Sequence, residues 1–127
     1  MRLLLDTQAL LWWLRDNPRL GPRSRSLIAD RSNDVLASVV SLWEITVKFR
    51  VGKLAERGSA IWPEVADEGF GMLGVTEAHL AELDDLPRHH GDPFDHLILA
   101  QAKAEGATVI TSDRHMTRYG VACIDTR

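Results

Sequence analysis

The sequence predicts an α/β fold in which a parallel sheet is covered by helices on both faces. Three observations carry this expectation. Short apolar runs alternate with segments of helical periodicity along the chain, the pattern of strand–helix–strand units. The runs are apolar on successive residues rather than alternate ones, as strands buried on both faces require. Turn and stop residues separate the segments, with no repeat, low-complexity tract or interdomain linker. Residues 1–127 therefore read as a single domain, long enough to bury a core without staples.

Residues 2–6 contain Leu3-Leu4-Leu5, which reads as the first strand. Residues 7–14 place Ala9, Leu10, Trp12 and Trp13 at helical spacing and end near Asn17-Pro18. A short helix is expected over 24–31 and a compact β-branched strand over 35–39. A helix over 42–51 stops at Gly52. A helix over 61–68, a strand over 72–75 and a helix over 77–83 follow. Residues 93–105 form a strong helix, opened by Pro93 and stopped by Gly106, and the last strands are 108–111 and 121–124. In open parallel sheets the ligand site lies beyond the carboxyl ends of the strands. Asp6 and Asp113 each follow a predicted strand directly, which brings two acids from distant parts of the chain to one sheet edge.

Composition is that of an ordinary soluble domain, 45% hydrophobic and 26% charged, which argues against disorder. No apolar run approaches the roughly 20 residues that cross a bilayer. Leu3–Leu5 runs straight into Asp6, without the apolar region and cleavage site of a signal peptide. Cys123 is the single cysteine, so no intrachain disulfide can form, which agrees with a reducing, cytoplasmic setting. The net charge of −3 is unevenly spread. Residues 1–53 carry nine Lys/Arg against five Asp/Glu, residues 54–87 one against eight, and residues 88–127 five against five. Arg15, Arg19, Arg23, Arg25 and Arg31 thus offer either a phosphate-facing patch or a solvated loop and helix.

Four acids stand out, and each also has a purely local explanation. Asp6 can cap the helix that follows it. Ser41-Leu42-Trp43-Glu44 matches a capping box. Asp92-Pro93-Phe94-Asp95 offers Asp92 as an N-cap and Asp95 as a first-turn acid. Asp113 can cap a short helix over 114–117. Against this, Asp95 is in line with Ile98, Leu99 and Ala102, and Glu44 with Val47 and Val51, on stripes expected to face the core. A carboxylate there is costly unless a cation or hydrogen bonds compensate it. Several together repel one another and raise a pKa or demand metal. Hard Mg²⁺ or Mn²⁺ suits such an oxygen set, and no Cys/His zinc pattern is present.

The motifs around these acids resemble those of the PIN-domain toxins of bacterial toxin–antitoxin pairs, the VapC family, over essentially the whole chain. The carrying segments are Leu4-Leu5-Asp6-Thr7 with Leu10-Leu11-Trp12-Trp13-Leu14, and Ser41-Leu42-Trp43-Glu44-Ile45 with Lys48 and Gly52-Lys53-Leu54. They continue with Asp92-Pro93-Phe94-Asp95-His96-Leu97-Ile98-Leu99-Ala100-Gln101-Ala102, and Thr111-Ser112-Asp113 with Tyr119-Gly120-Val121. The resemblance implies a PIN-like three-layer α/β/α fold with a parallel five-stranded sheet in the order 3-2-1-4-5. It places Asp6, Glu44, Asp95 and Asp113 in the family's four acidic positions, as catalytic residues that hold the divalent cations, with Asp6 and Asp95 nearest the principal one. Thr7, Ser112, Asp92 and Arg114 are candidate supporting residues. Thr7 and Ser112 can orient water or phosphate oxygens or serve as local backbone caps.

The same resemblance implies a Mg²⁺- or Mn²⁺-dependent endoribonuclease that hydrolyses RNA phosphodiesters to a 5′-phosphate and a 3′-hydroxyl. Lys48, Arg50 and Arg114 are candidate phosphate contacts, although Arg50 reads better as a solvated helix charge. The implied partners are an RNA substrate, a cognate VapB-type antitoxin and a second copy of the chain, with no membrane. Trp12, Trp13 and Trp43 are candidate apolar contacts for the antitoxin or core residues. Two departures bear on specificity: Gln8 stands where this subgroup commonly has His, and His96 where it has Arg. His79, His89, His90 and His115 read as surface or loop residues, with metal or phosphate binding by His89-His90 as an alternative. A catalytically inactive RNA- or protein-binding PIN-like module is the main competing reading. A receiver-type phosphoacceptor domain would want paired acids after the first strand and a Lys after a late one. A dehalogenase-type phosphatase would want Asp in place of Gln8.

Overall fold

The computed structural model describes residues 1–127. Its elements are β1 (Arg2–Leu5), α1 (Thr7–Leu14), α2 (Pro22–Ala29), β2 (Asp34–Ser38), α3 (Val39–Arg50), α4 (Gly58–Asp67), β3 (Gly71–Leu73), α5 (Glu77–Asp85), α6 (Pro93–Glu105), β4 (Thr108–Thr111), a 3₁₀ turn (Arg114–Tyr119) and β5 (Cys123–Asp125). The five strands form one sheet in the order β3-β2-β1-β4-β5, and every pair is parallel. The expected α/β/α architecture and strand order are thus both observed.

Consecutive leucines in β1 serve both faces of the sheet, because side chains alternate along a strand. Leu3 and Leu5 join Ala9, Leu10, Ile45, Ile61 and Ile110 on one side. Leu4 joins Leu36, Ile98, Leu99, Val109 and Met116 on the other. This is why an all-apolar run, and not an alternating one, makes the central strand. Leu5 pairs in register with Ala37 of β2 and with Ile110 of β4. The carboxyl ends of the three central strands therefore come out level, and the residues after them share one edge.

Several boundaries differ from the sequence reading. The helix expected over 42–51 begins at Val39, because Ser38 caps it by accepting from the Val40 amide. Ser41 therefore lies inside the helix, and Ser41 with Glu44 forms no capping box. Val51, expected on a core stripe, is 62% exposed, whereas Glu44 itself is buried. The face that carries Glu44 inward runs through Val40, Ser41 and Ile45. The 61–68 helix gains a turn at its start, beginning at Gly58. The strands expected over 72–75 and 121–124 form over Gly71–Leu73 and Cys123–Asp125, where parallel pairing places them.

His79 is a correction of another kind. Read as a surface residue, it is fully buried: its Nδ1 accepts from the Thr76 amide and its Nε2 meets Glu105 at 2.9 Å. An imidazole in a capping position hides behind a helical pattern that looks solvent-facing. Of the five arginines weighed as a phosphate patch, Arg15 pairs with Glu56 and Glu64, and Arg25 with Asp16. Those two are engaged within the chain. No helix is long and apolar enough to cross a membrane.

Ile98 stands in the layer that fixes α6 against β1 and β4, and it is completely buried. Ile98→Ala is expected to lower the unfolding free energy by about 2–5 kcal/mol, measured by chemical denaturation of the metal-free protein.

Candidate active site

Asp6 is the first residue beyond β1. Its amide donates to the Ile110 carbonyl at 3.1 Å, which ties it to β4, and its Oδ1 accepts from the Ala9 amide at 2.8 Å as the N-cap of α1. Asp113 is the second residue beyond β4. Its Oδ1 caps the 3₁₀ turn through the His115 amide at 2.8 Å. Asp95 is in the first turn of α6, where Asp92 caps the helix by accepting from the amides of Phe94 and Asp95. Ile98, Leu99 and Ala102, on the same stripe as Asp95, are all fully buried, as expected. Glu44 comes from the second turn of α3. The capping explanations for Asp6, Asp92 and Asp113 all hold, and they do not compete with a site: a cap fixes the backbone and leaves one carboxylate oxygen for other work.

These side chains meet at a cleft of about 260 Å³ at the carboxyl edge of the sheet. Asp6, Glu44, Asp92, Asp95 and Asp113 line it, together with Thr7, Gln8 and Ser112. Arg114 does not; it is exposed on the 3₁₀ turn. Lys48 is the single cation in the lining. Its ammonium bonds Glu44 Oε2 at 2.6 Å, and the Thr7 hydroxyl donates to Oε1 at 2.6 Å. A further hydrogen bond of 3.0 Å joins the Thr7 and Ser41 hydroxyls. Both Glu44 oxygens are therefore engaged, and Lys48 is held above its usual pKa mainly by that bond.

The charges that remain are poorly compensated. Burial pushes the Asp6 carboxyl up to about 6, and Glu44 and Asp113 add repulsion, against the polar Thr111 side chain nearby and the hydrogen bond from the Ala9 amide. Burial likewise pushes Asp95 up to about 7; Asp92, Asp6 and Glu44 add repulsion, against a hydrogen bond from His90. Carboxyls in this state give a divalent cation what it needs: several oxygen donors, excess negative charge and partial exclusion of water. The donor set fits Mg²⁺ or Mn²⁺, with Asp6, Asp95 and Asp113 the residues whose oxygens remain open to hold it.

One part of the site was legible in the sequence only as an alternative, metal or phosphate binding by His89-His90. His90, assigned to a loop, is only 12% exposed at its side chain and bonds Asp95 Oδ2 through Nε2 at 3.2 Å. The Tyr119 hydroxyl bonds His90 Nδ1 at 2.6 Å and His96 Nε2 at 3.1 Å. The available signal was the His89-His90 pair shortly before Asp95. His89 and His115 are exposed, as read.

Because the folded pKa of Asp6 lies above its ordinary 3.8, its neutral form is favoured by folding. That contribution is full below pH 3.8 and is lost as the pH rises through about 6, a penalty of about 3 kcal/mol at pH 8. Asp95 acts in the same direction. Asp6→Asn, which keeps the cap, is therefore expected to raise the melting temperature of the metal-free protein at pH 8 and to leave it nearly unchanged at pH 4. Millimolar Mg²⁺ should stabilise the wild type more at pH 8 than at pH 5, and the variant little at either. Differential scanning calorimetry with and without EDTA checks all three.

Comparison with known proteins agrees with this geometry. A family model described as PIN domain matches residues 3–122. The chain is 24% identical over 119 residues to Ribonuclease VapC22 of Mycobacterium tuberculosis, covering 92% of this chain and 91% of that one. It is 29% identical over 115 residues to Ribonuclease VapC16 of the same organism, covering 85% and 77%. Among solved structures, VapBC2 from Rickettsia felis, bound to a DNA fragment from its promoter, superposes with a TM-score of 0.76. There the identity is 17% and the coverage 98% of both chains, a likeness of fold. The resemblance read from the four acidic motifs is borne out: this chain belongs to the PIN domain family.

Proposed function

We propose that this chain is a divalent-metal-dependent endoribonuclease, the toxin of a VapBC-type toxin–antitoxin pair, acting as one domain over residues 1–127. The observation that carries the proposal is the meeting of Asp6, Glu44, Asp95 and Asp113 in one cleft, from four elements far apart in the chain. The names of the relatives, ribonucleases both, support the substrate class.

Asp6, Asp95 and Asp113 hold the cation, Mg²⁺ or Mn²⁺. A divalent cation held there would neutralise charge on the phosphodiester and lower the pKa of water bound to it. Glu44, fixed by Thr7 and Lys48, contributes negative charge to the cleft and keeps the Lys48 ammonium at its wall. Lys48 then lies where it can meet a phosphate oxygen of the RNA. Ser112 and Gln8 line the mouth and orient water or substrate. Asp92 positions Asp95 by holding its amide, which makes it a positioning residue.

The partners in this reading are RNA, a VapB-type antitoxin and a second copy of the chain, in a cytoplasmic setting. VapBC complexes among the structural neighbours support the antitoxin. Trp43, half-exposed on α3, stacks edge-on to Phe94 of α6 at 4.6 Å and offers an apolar contact near the cleft. Trp12 and Trp13 instead pack against the core, Trp13 beside Phe70.

The test is incubation of antitoxin-free protein with a mixed RNA pool in Mg²⁺, Mn²⁺ or EDTA, beside Asp6→Asn and Asp95→Asn. Cleavage should require the ion and fall by at least about 100-fold in each variant. Cleavage that survives EDTA, or proceeds at the wild-type rate in Asp95→Asn, would contradict the assignment. A folded wild type that binds RNA and cuts neither this pool nor total cellular RNA would favour the inactive binding module.

A further inference from the structure

His90 lies in the segment before α6, and both of its ring nitrogens have defined partners. Nδ1 is 2.6 Å from the Tyr119 hydroxyl, and Nε2 is 3.2 Å from Asp95 Oδ2. The hydroxyl is itself held, because the backbone amides of His89 and His90 donate to it at 3.0 and 3.1 Å. On the other side, the His115 ring stacks on His90 at 5.3 Å with an interplanar angle of 11°. The imidazole thus has little freedom to turn. A ring nitrogen of His90, a carboxylate oxygen of Asp95 and one of Asp113 lie within 4.8 Å of one another. A ring tied at one nitrogen by a fixed hydrogen-bond partner and aimed at carboxylates by the other is arranged as a metal ligand.

The geometry points to a mixed cation site of one nitrogen and two carboxylates, His90 with Asp95 and Asp113, which makes the cleft select Mn²⁺ over Mg²⁺. The inference rests on the reading of the cleft as a cation-binding nuclease site and says which ion that site prefers. Imidazole is a good ligand for transition ions, whereas Mg²⁺ prefers an all-oxygen shell and gives up water reluctantly. Ligation needs Nε2 free of its proton. The ring's one proton then sits on Nδ1 and is donated to the Tyr119 oxygen, whose lone pairs it shares with the amides of His89 and His90. The hydroxyl hydrogen turns to His96 Nε2, 3.1 Å away. The hydrogen bond from Nε2 to Asp95 gives way to a shared ion. Tyr119 is accordingly a positioning residue that acts through His90.

The test uses full-length wild type, His90→Gln and Tyr119→Phe, stripped of metal and titrated with Mn²⁺ and with Mg²⁺ by calorimetry. Pulsed electron paramagnetic resonance of the Mn²⁺-loaded proteins reads nitrogen coupling directly. The wild type should bind Mn²⁺ at least about tenfold more tightly than Mg²⁺ and show an imidazole-nitrogen coupling. His90→Gln should lose the coupling and about tenfold in Mn²⁺ affinity, with Mg²⁺ affinity changed less than about threefold. Tyr119→Phe should keep the coupling and bind Mn²⁺ more weakly. Absence of nitrogen coupling in a wild type that binds both ions overturns this inference and leaves the nuclease reading standing. Equal losses for both ions in His90→Gln also overturn it, because they mark a structural role. Binding of neither ion by folded wild type overturns both.

Discussion

Burial of like charge at the carboxyl edge of a parallel sheet is the constraint on which this structure turns. The register that pairs Leu5 with both Ala37 and Ile110 carries the chain out of β1 and β4 side by side, so Asp6 and Asp113 must share a space. The packing that buries Ile98 and Leu99 under the sheet turns Asp95 into the same space from α6. Hydrophobic burial elsewhere thus enforces a local arrangement that electrostatics opposes. One lysine lines the cleft, and its ammonium is already taken by Glu44. Folding leaves the site with an excess of negative charge that a bound cation would relieve.

The four acids do different work. Glu44 is satisfied internally, with a hydroxyl on one oxygen and an ammonium on the other. Asp6, Asp95 and Asp113 keep open oxygens while their positions are fixed by cap hydrogen bonds or, for Asp95, by the cap that Asp92 provides. Capping is therefore compatible with the ligation proposed for these acids. The loops that follow parallel strands must start a helix, a helix start prefers a short acid, and the second oxygen of that acid then faces the strand edge.

Much of this was legible in the sequence, and the parts that were not have physical reasons. The strands β1 and β4 and the helix α6 were plain, because Leu3–Leu5 and Val109–Ile110 are buried on both sides of the sheet and Pro93 and Gly106 bracket a helix. Asp6, Asp95 and Asp113 could be placed from adjacency to strands and from helical phase. Glu44 was found by its motif, although the neighbours that bury it are Val40, Ser41 and Ile45 and not the valines further on. The start of α3 was misplaced because Ser38 and Ser41 are both credible caps, and only the end of β2 decides between them. The burial of His79 was beyond reach, because its partner Glu105 is distant in sequence; for His90 the sequence offered metal or phosphate binding as an alternative, but not the link to Tyr119 that holds its ring.

The measurement closest to the central claim is the number of protons released when a divalent ion enters the cleft, obtained by calorimetry in buffers of different ionisation enthalpy. Asp6 at about 6 and Asp95 at about 7 are both partly protonated at pH 6 and must ionise to bind metal. Release of on the order of one proton per chain at pH 6, falling close to zero at pH 8.5, is the predicted result. Binding with no proton release at pH 6 would show that the acids were already ionised and compensated, and would contradict the account of a site held under electrostatic strain.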